Sequence, residues 1–222
     1  MTAAEILTLD ALGDTPVGGK AAGLAKLTQL GLRVPPAFVI VGATPGDLPE
    51  DLETHYRRLG AGPVAVRSSA LGEDSAEASF AGQYETVLDV VGIGPLREAI
   101  DVCLASLHNQ RASAYRRQNA TVNGESAMSV VVQTMVPAQA AGVLFTADPV
   151  TGRRDRVIVD AVEGLGEALV SGHASPDHVV LDRRGHILEA RITGTAAVLD
   201  DDVLRSLVAS ALAAEAAEGC PL

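Results

Sequence analysis

Three short stretches of the 222-residue chain combine residue types that could handle an anion or a purine. The first is Val17-Gly18-Gly19-Lys20-Ala21, where two glycines open a helix and a lysine follows at once. A helix N-terminus offers unpaired N–H groups and the positive end of the helix dipole, which suits a phosphate. Lys20 would add a full charge there. The spacing is not that of a P-loop, which needs GxxxxGK and a trailing Ser or Thr. A helix start with a solvated lysine is the plainer alternative. The second stretch is Val64-Ala65-Val66-Arg67-Ser68-Ser69, read as an apolar strand over Val64–Arg67 that ends on a cation. Such a charge needs an acid partner or an anionic ligand. The loop after it, 68–83, is small and acidic. Its glycine, Gly82, can take backbone angles closed to other residues. Pairing of Arg67 with Glu73, Asp74 or Glu77 is the alternative. The third stretch, 130–152, is a buried strand broken at Pro137, then a second strand. A break leaves backbone donors and acceptors that could meet the edge of an adenine, with Met135 and Val136 as apolar cover. A β-hairpin with no ligand reads equally well. Glu163 and Glu167, in a turn-rich segment, either attract a cation or face water. No pair of His or Cys has the spacing of a metal site, and no GxSxG or Cys/His nucleophile pattern is present.

The elements that must hold these residues follow from periodicity and punctuation. Residues 18–31 predict a helix with Ala21, Leu24, Leu27 and Leu30 as its apolar stripe and Gly31 as a left-handed cap. Pro35-Pro36 stops it, and 34–41 predict a strand. A short helix is expected over 48–59 and a strand over 84–91. A long helix follows from Pro95 to about Asn119, with Leu96, Ile100, Leu104 and Leu107 inward. Strands are expected over 128–135, 141–146, 156–161, 178–182 and 186–192. Asp200 to Asp202 start a last helix running to about Glu218. The fold class predicted is α+β, with strands first interleaved with helices and then mostly antiparallel. A regular βαβ array is excluded.

Composition narrows the partners. Net charge is −11 and 47% of residues are hydrophobic, but only 3% are aromatic and none is Trp. Alanine, valine and leucine must therefore fill the core. An acidic chain argues against a nucleic-acid or anionic-membrane surface, while leaving room for a local cationic pocket. There is no signal pattern at the start and no apolar run approaching ~20 residues, so the expected place is the cytoplasm. Cys103 and Cys220 read as isolated thiols.

The order of the motifs is more specific than any one of them. GGKAAGLAKL…GLRVPPAFVI, AVRSSA…EDSAEASFAGQYETVLDV, VVVQTMVPAQAAGVLFTADPVTG and GLGEALVSGHASPDHVVLD follow one another over nearly the whole chain. This resembles the N-terminal nucleotide-binding domain shared by phosphoenolpyruvate synthase, pyruvate phosphate dikinase and rifampicin phosphotransferase, also called the PEP/pyruvate-binding domain. The resemblance implies an ATP-grasp-like, two-lobed domain with mixed, largely antiparallel sheets, occupying residues 1–222, with a lobe break near 136–141. It implies that Lys20 and Arg67 hold the phosphates of ATP and act in catalysis. It implies that Gly82, Gln83 and Thr86 form the loop over the phosphates, and that Gln133, Met135, Val136 and Pro137 meet the adenine.

The resemblance also sets expectations about partners. The family has a longer helical segment where this chain has only residues 42–63. Its ligands for magnesium and phosphates lie on a QDIEW-type strand running to a QxRP end. That strand is not found beyond EAAEGCPL, so the expectation is a truncated domain. Mg2+ is expected of the family, but no metal ligand is assigned in this chain. The expected function is ATP binding, with kinase-type phosphoryl transfer only beside a partner supplying metal ligands, phosphohistidine and acceptor domains. That partner would be a separate chain carrying histidine and PEP-binding domains, and self-association would cover an open sheet edge. A non-catalytic nucleotide-binding or interaction remnant is the alternative, so enzymatic activity stays open at this point.

Overall fold

The run Ala-Phe-Val-Ile-Val reads as a strand with no polar face, and it forms one: β2, Ala37–Val41, is buried along almost its whole length. A strand apolar on both sides needs cover on both sides. A computed structural model, which describes residues 4–70, 86–117 and 128–222, shows how that cover is supplied. The chain divides into two compact units, Met1–Val136 and Pro137–Leu222.

In the first unit, β1 (Glu5–Thr8) leads through a short 3-10 turn to α1 (Gly19–Gln29), then β2 and α2 (Leu52–Arg58). β3 (Val64–Ala70), β4 (Thr86–Val90), α3 (Ile93–Arg117) and β5 (Met128–Thr134) follow. The strands make one sheet in the order β1-β2-β5-β3-β4, every neighbouring pair antiparallel. Alternation sends Phe38, Ile40, Val64, Val66, Val130 and Val132 to one face, where Leu52 and Tyr56 of α2 and Leu96, Ile100 and Leu104 of α3 bury them. Val39, Val41 and Val131 point to the other face and meet Ala21 and Ala25 of α1. Each large apolar side chain fully buried in this way contributes roughly 1.5–3 kcal/mol.

Two expectations change here. β3 does not end on Arg67; it runs on through Ser68, Ser69 and Ala70, which pair with Val130, Ser129 and Met128 of β5. Serine is a weak strand signal, but both serines are fully buried, where only small side chains fit between the sheet and its helices. The apolar stripe of α1 is also rotated. Ala21, Leu24 and Ala25 face the sheet, while Leu30 is 39% exposed. Alanines let the helix come close to the strands. Gly31, at φ 73°, ends α1, with Leu32 N–H bonded to Leu27 O and Gly31 N–H to Thr28 O, the expected left-handed cap.

The second unit is a meander. β6 (Ala140–Phe145), β7 (Arg156–Glu163), β8 (Asp177–Asp182) and β9 (Ile187–Arg191) pair in sequence order, all antiparallel, with α4 (Glu167–Val170) between β7 and β8. α5 (Asp201–Glu218) lays Leu204 and Val208 on Val157, Val159, Val179 and Leu181. Asp200 caps α5 by accepting Val203 N–H at 2.8 Å, as its position predicts. Glu215, near the other end, takes two hydrogen bonds from Arg183, at 3.0 and 3.1 Å. Asp182 turns β8 into β9. Its carboxylate is held at about 2, first by the backbone N–H and ring of His186 and then by Arg184 N–H. Among the described residues no helix is long and apolar enough to cross a membrane.

Candidate functional site

The glycine pair that opens α1 is pressed against β3. A Cβ on Gly18 would stand 2.3 Å from the carbonyl carbon of Ser69 and 2.4 Å from the nitrogen of Ala70. Only a residue with no side chain permits that approach. The approach lets β3 cap the helix. Ser69 Oγ accepts the backbone N–H of Ala21 at 3.2 Å, a role usually played by a residue just ahead of the helix. Lys20 Nζ donates to Ser68 O at 3.0 Å. So the positive end of α1 and the Lys20 ammonium both reach the strand that carries Arg67.

Arg67 is half-buried in the middle of β3, opposite Val131 of β5 and Thr86 of β4. Alternation puts its side chain on the face that Val131 shares with α1, and puts Ser69 and Thr86 on that face as well. Thr86 is exposed, at the first position of β4. Lys20, Arg67 and Thr86 are thus gathered around one strand. Gly82 and Gln83, expected with them, lie outside the described residues, as do Glu73, Asp74 and Glu77.

The other end of β5 holds the hinge positions. Gln133 is buried, and its Nε2 donates to Pro35 O at 3.1 Å. Thr134 N–H bonds Pro36 O, and Met135 N–H bonds Pro63 O, both at 2.9 Å. The break therefore leaves fewer open backbone groups than expected: the amides of Thr134 and Met135 are used in tying β5 to the two proline turns. Pro137 has no N–H. Val136 is 51% exposed.

Sequence reading missed the part played by the two serines after Arg67, because the contact spans 48 residues. It also missed Ser129. That residue lies opposite Ser69, fully buried, and its Oγ has no hydrogen-bond partner among the described residues. In the second unit, Asp160 and His178 pair across β7 and β8 at 2.7 Å. Glu163 and Glu167 are exposed. Asp177 is buried and accepts three hydrogen bonds, from Thr193 N–H, Thr193 Oγ1 and Val198 N–H. Burial raises the pKa of this carboxyl, and the three donors more than offset that, so the net shift is downward.

The model of the family described as the pyruvate phosphate dikinase AMP/ATP-binding domain matches residues 41–200. The chain belongs to this family. Among its relatives, the prodigiosin synthesizing transferase PigC of Serratia marcescens is 40% identical, over 79% of this chain and 23% of its own. A probable phosphoenolpyruvate synthase of Methanothermobacter thermautotrophicus is 36% identical, over 78% of this chain and 33% of its own. A rifampicin phosphotransferase of Streptomyces is 37% identical, over 85% and 27%. The chain thus spans between about a quarter and a third of the length of these relatives. Its α+β architecture is that of an AMP/ATP-binding domain of the pyruvate phosphate dikinase family. Lys20 and α1 precede the matched residues, so their docking on Arg67's strand is an observation of this fold alone.

Proposed function

We propose that this chain binds ATP, with the phosphates where the N-terminus of α1 meets β3 and the adenine at the 133–137 hinge. On this reading it supplies the nucleotide-handling part of a phosphoryl transfer that is completed by other domains or another chain bearing phosphohistidine and acceptor sites. The observation that carries the reading is the docking of Gly18 and Lys20 on Ser68 and Ser69, which brings a helix dipole and an ammonium to Arg67's strand.

Phosphoryl transfer asks little covalent chemistry of a protein. It asks for position and for positive charge around the transferring group. Lys20 and Arg67 would neutralise phosphate charge. Thr86, exposed beside Arg67, would offer a hydroxyl to a phosphate oxygen, with Gly82 and Gln83 of the preceding segment over the phosphates. At the base, Val136 would give an N–H, and Met135 apolar cover. Gln133 would act chiefly by fixing the hinge, since its amide already bonds Pro35 O. The two proposed lobes of the domain would part near 136–141, between base and second sheet. Mg2+ would supply further charge in such a reaction. Among the described residues, however, no group of three His, Cys, Asp or Glu side chains could hold a metal ion.

Calorimetric titration tests the nucleotide reading. Arg67→Ala is expected to weaken ATP binding by about 10- to 100-fold, the loss of a charge-assisted hydrogen bond. Its far-UV circular dichroism should match that of the parent. Unchanged ATP affinity in a folded Arg67→Ala protein would overturn the proposal.

A further inference from the structure

A cavity of about 410 Å³ opens in the second unit, between the end of β7 and the segment that follows β9. Its wall includes Glu163, Ser175, Asp177, Thr193 and Thr195, and otherwise only alanine, glycine and valine. Two of the lining residues are acids and none is Lys, Arg or His. That sign rules out phosphate as an occupant and favours a cation. The acids play different parts. Asp177 is buried, and both its oxygens are occupied by Thr193 and Val198, so its charge reaches the cavity but its lone pairs are largely spent. It fixes the 193–198 segment as one side of the cavity. Glu163 is exposed at the mouth and has no ion pair or hydrogen bond to another side chain among the described residues.

A hard metal ion is a poor match. It would need several oxygen ligands, and Asp177 has few to give. An alkylammonium group fits better. Its three N–H donors can divide among the Glu163 carboxylate and the hydroxyls of Ser175 and Thr195. Its stem can lie on Ala161, Val162 and Val198. We propose that this cavity is a binding site for a small organic ammonium group, with Glu163 as its counter-ion and Asp177 as the positioning residue of its wall. The cavity belongs to the second unit and the proposed phosphate site to the first.

The test is a two-dimensional amide NMR titration of the 222-residue chain with n-propylammonium chloride, 1-propanol and inorganic phosphate in parallel. Propylammonium is expected to give saturable shifts at Glu163 and at Thr193 to Val198. Propanol should bind about fivefold more weakly, and phosphate should leave these amides unmoved. Glu163→Gln, an exposed substitution that the fold tolerates, should weaken propylammonium by about fivefold, the upper end for an exposed ion pair. Equal binding of propylammonium and propanol, equal affinity in Glu163→Gln, or no saturable shift at these amides would each overturn the proposal. ATP added to the same sample reads a different set of amides, around Lys20 and Arg67, so the two proposals fail separately.

Discussion

Asp177 gives the second unit one of its pH-dependent contributions to stability. Its carboxyl titrates below its unfolded value of about 3.9 because three hydrogen bonds favour the anion despite burial. A carboxyl lowered on folding adds stability that is fully present above the unfolded value. That stability is lost as pH falls through the folded value. Asp182, lowered to about 2, acts with the same sign. The urea midpoint of the chain is therefore expected to hold steady above about pH 5 and to fall steeply below about pH 4. In Asp177→Asn the acid limb should be shallower, since one lowered carboxyl is gone while others, Asp182 and Glu215 among them, remain. Superimposable limbs in the two proteins would show that Asp177 is not responsible. Neither residue's role was visible beforehand. Asp177 sits in a Ser-Pro-Asp run that reads as a turn, and its partners lie 16 and 21 residues away.

Helix α1 shows what was legible in the sequence at the scale of an element and what was not. Its bounds and its Gly31 cap followed from glycine, proline and apolar spacing. Its buried face did not, because alanine is ambiguous between core and surface, and the structure uses Ala25 in place of Leu30. Its N-terminal cap was beyond reach because it comes from another strand. Ser69→Ala should remove that cap and cost about 1 kcal/mol, read as a lower urea midpoint with unchanged slope. A loss near zero would mean that water replaces the serine. β3 carries the same lesson. The apolar part, Val64 to Val66, announced a strand, while the serines that extend it only make sense once α1 lies on one face of the sheet and α3 on the other. The strands of the second unit were legible nearly to the residue, since each is a short run with apolar residues, set off by turn-forming Gly, Pro or Asp nearby.

Among the described residues, the apolar side chains of the molecule fall into separate cores, two in the first unit and one in the second, and none of these three draws on both units. Separate cores invite separate unfolding. The composition supplies a convenient reporter. There is no Trp, and all three tyrosines, Tyr56, Tyr84 and Tyr115, precede residue 137. Tyrosine emission thus reads the first unit, whereas circular dichroism reads both. Ile100→Ala, in the core beneath β3 and β5, should cost about 2–5 kcal/mol. It should move the tyrosine transition further than the dichroism transition. Equal displacement of both curves would show that the two units unfold as one. The acidic cavity of the second unit could not be read from the sequence, since its lining is gathered from three separate segments.

The seating of Gly18 on β3 has a consequence for how this chain can change over generations. The two nearest atoms a side chain there would strike are backbone atoms of Ser69 and Ala70, which no second mutation at those positions removes. Position 18 is closed to drift whether or not a descendant still uses nucleotide. Lys20 and Arg67 are under no such steric embargo. In lineages that no longer use the proposed phosphate site, the glycine should persist while the two cations wander. The ancestry of a silent copy would stay written at position 18, and its loss of trade at positions 20 and 67.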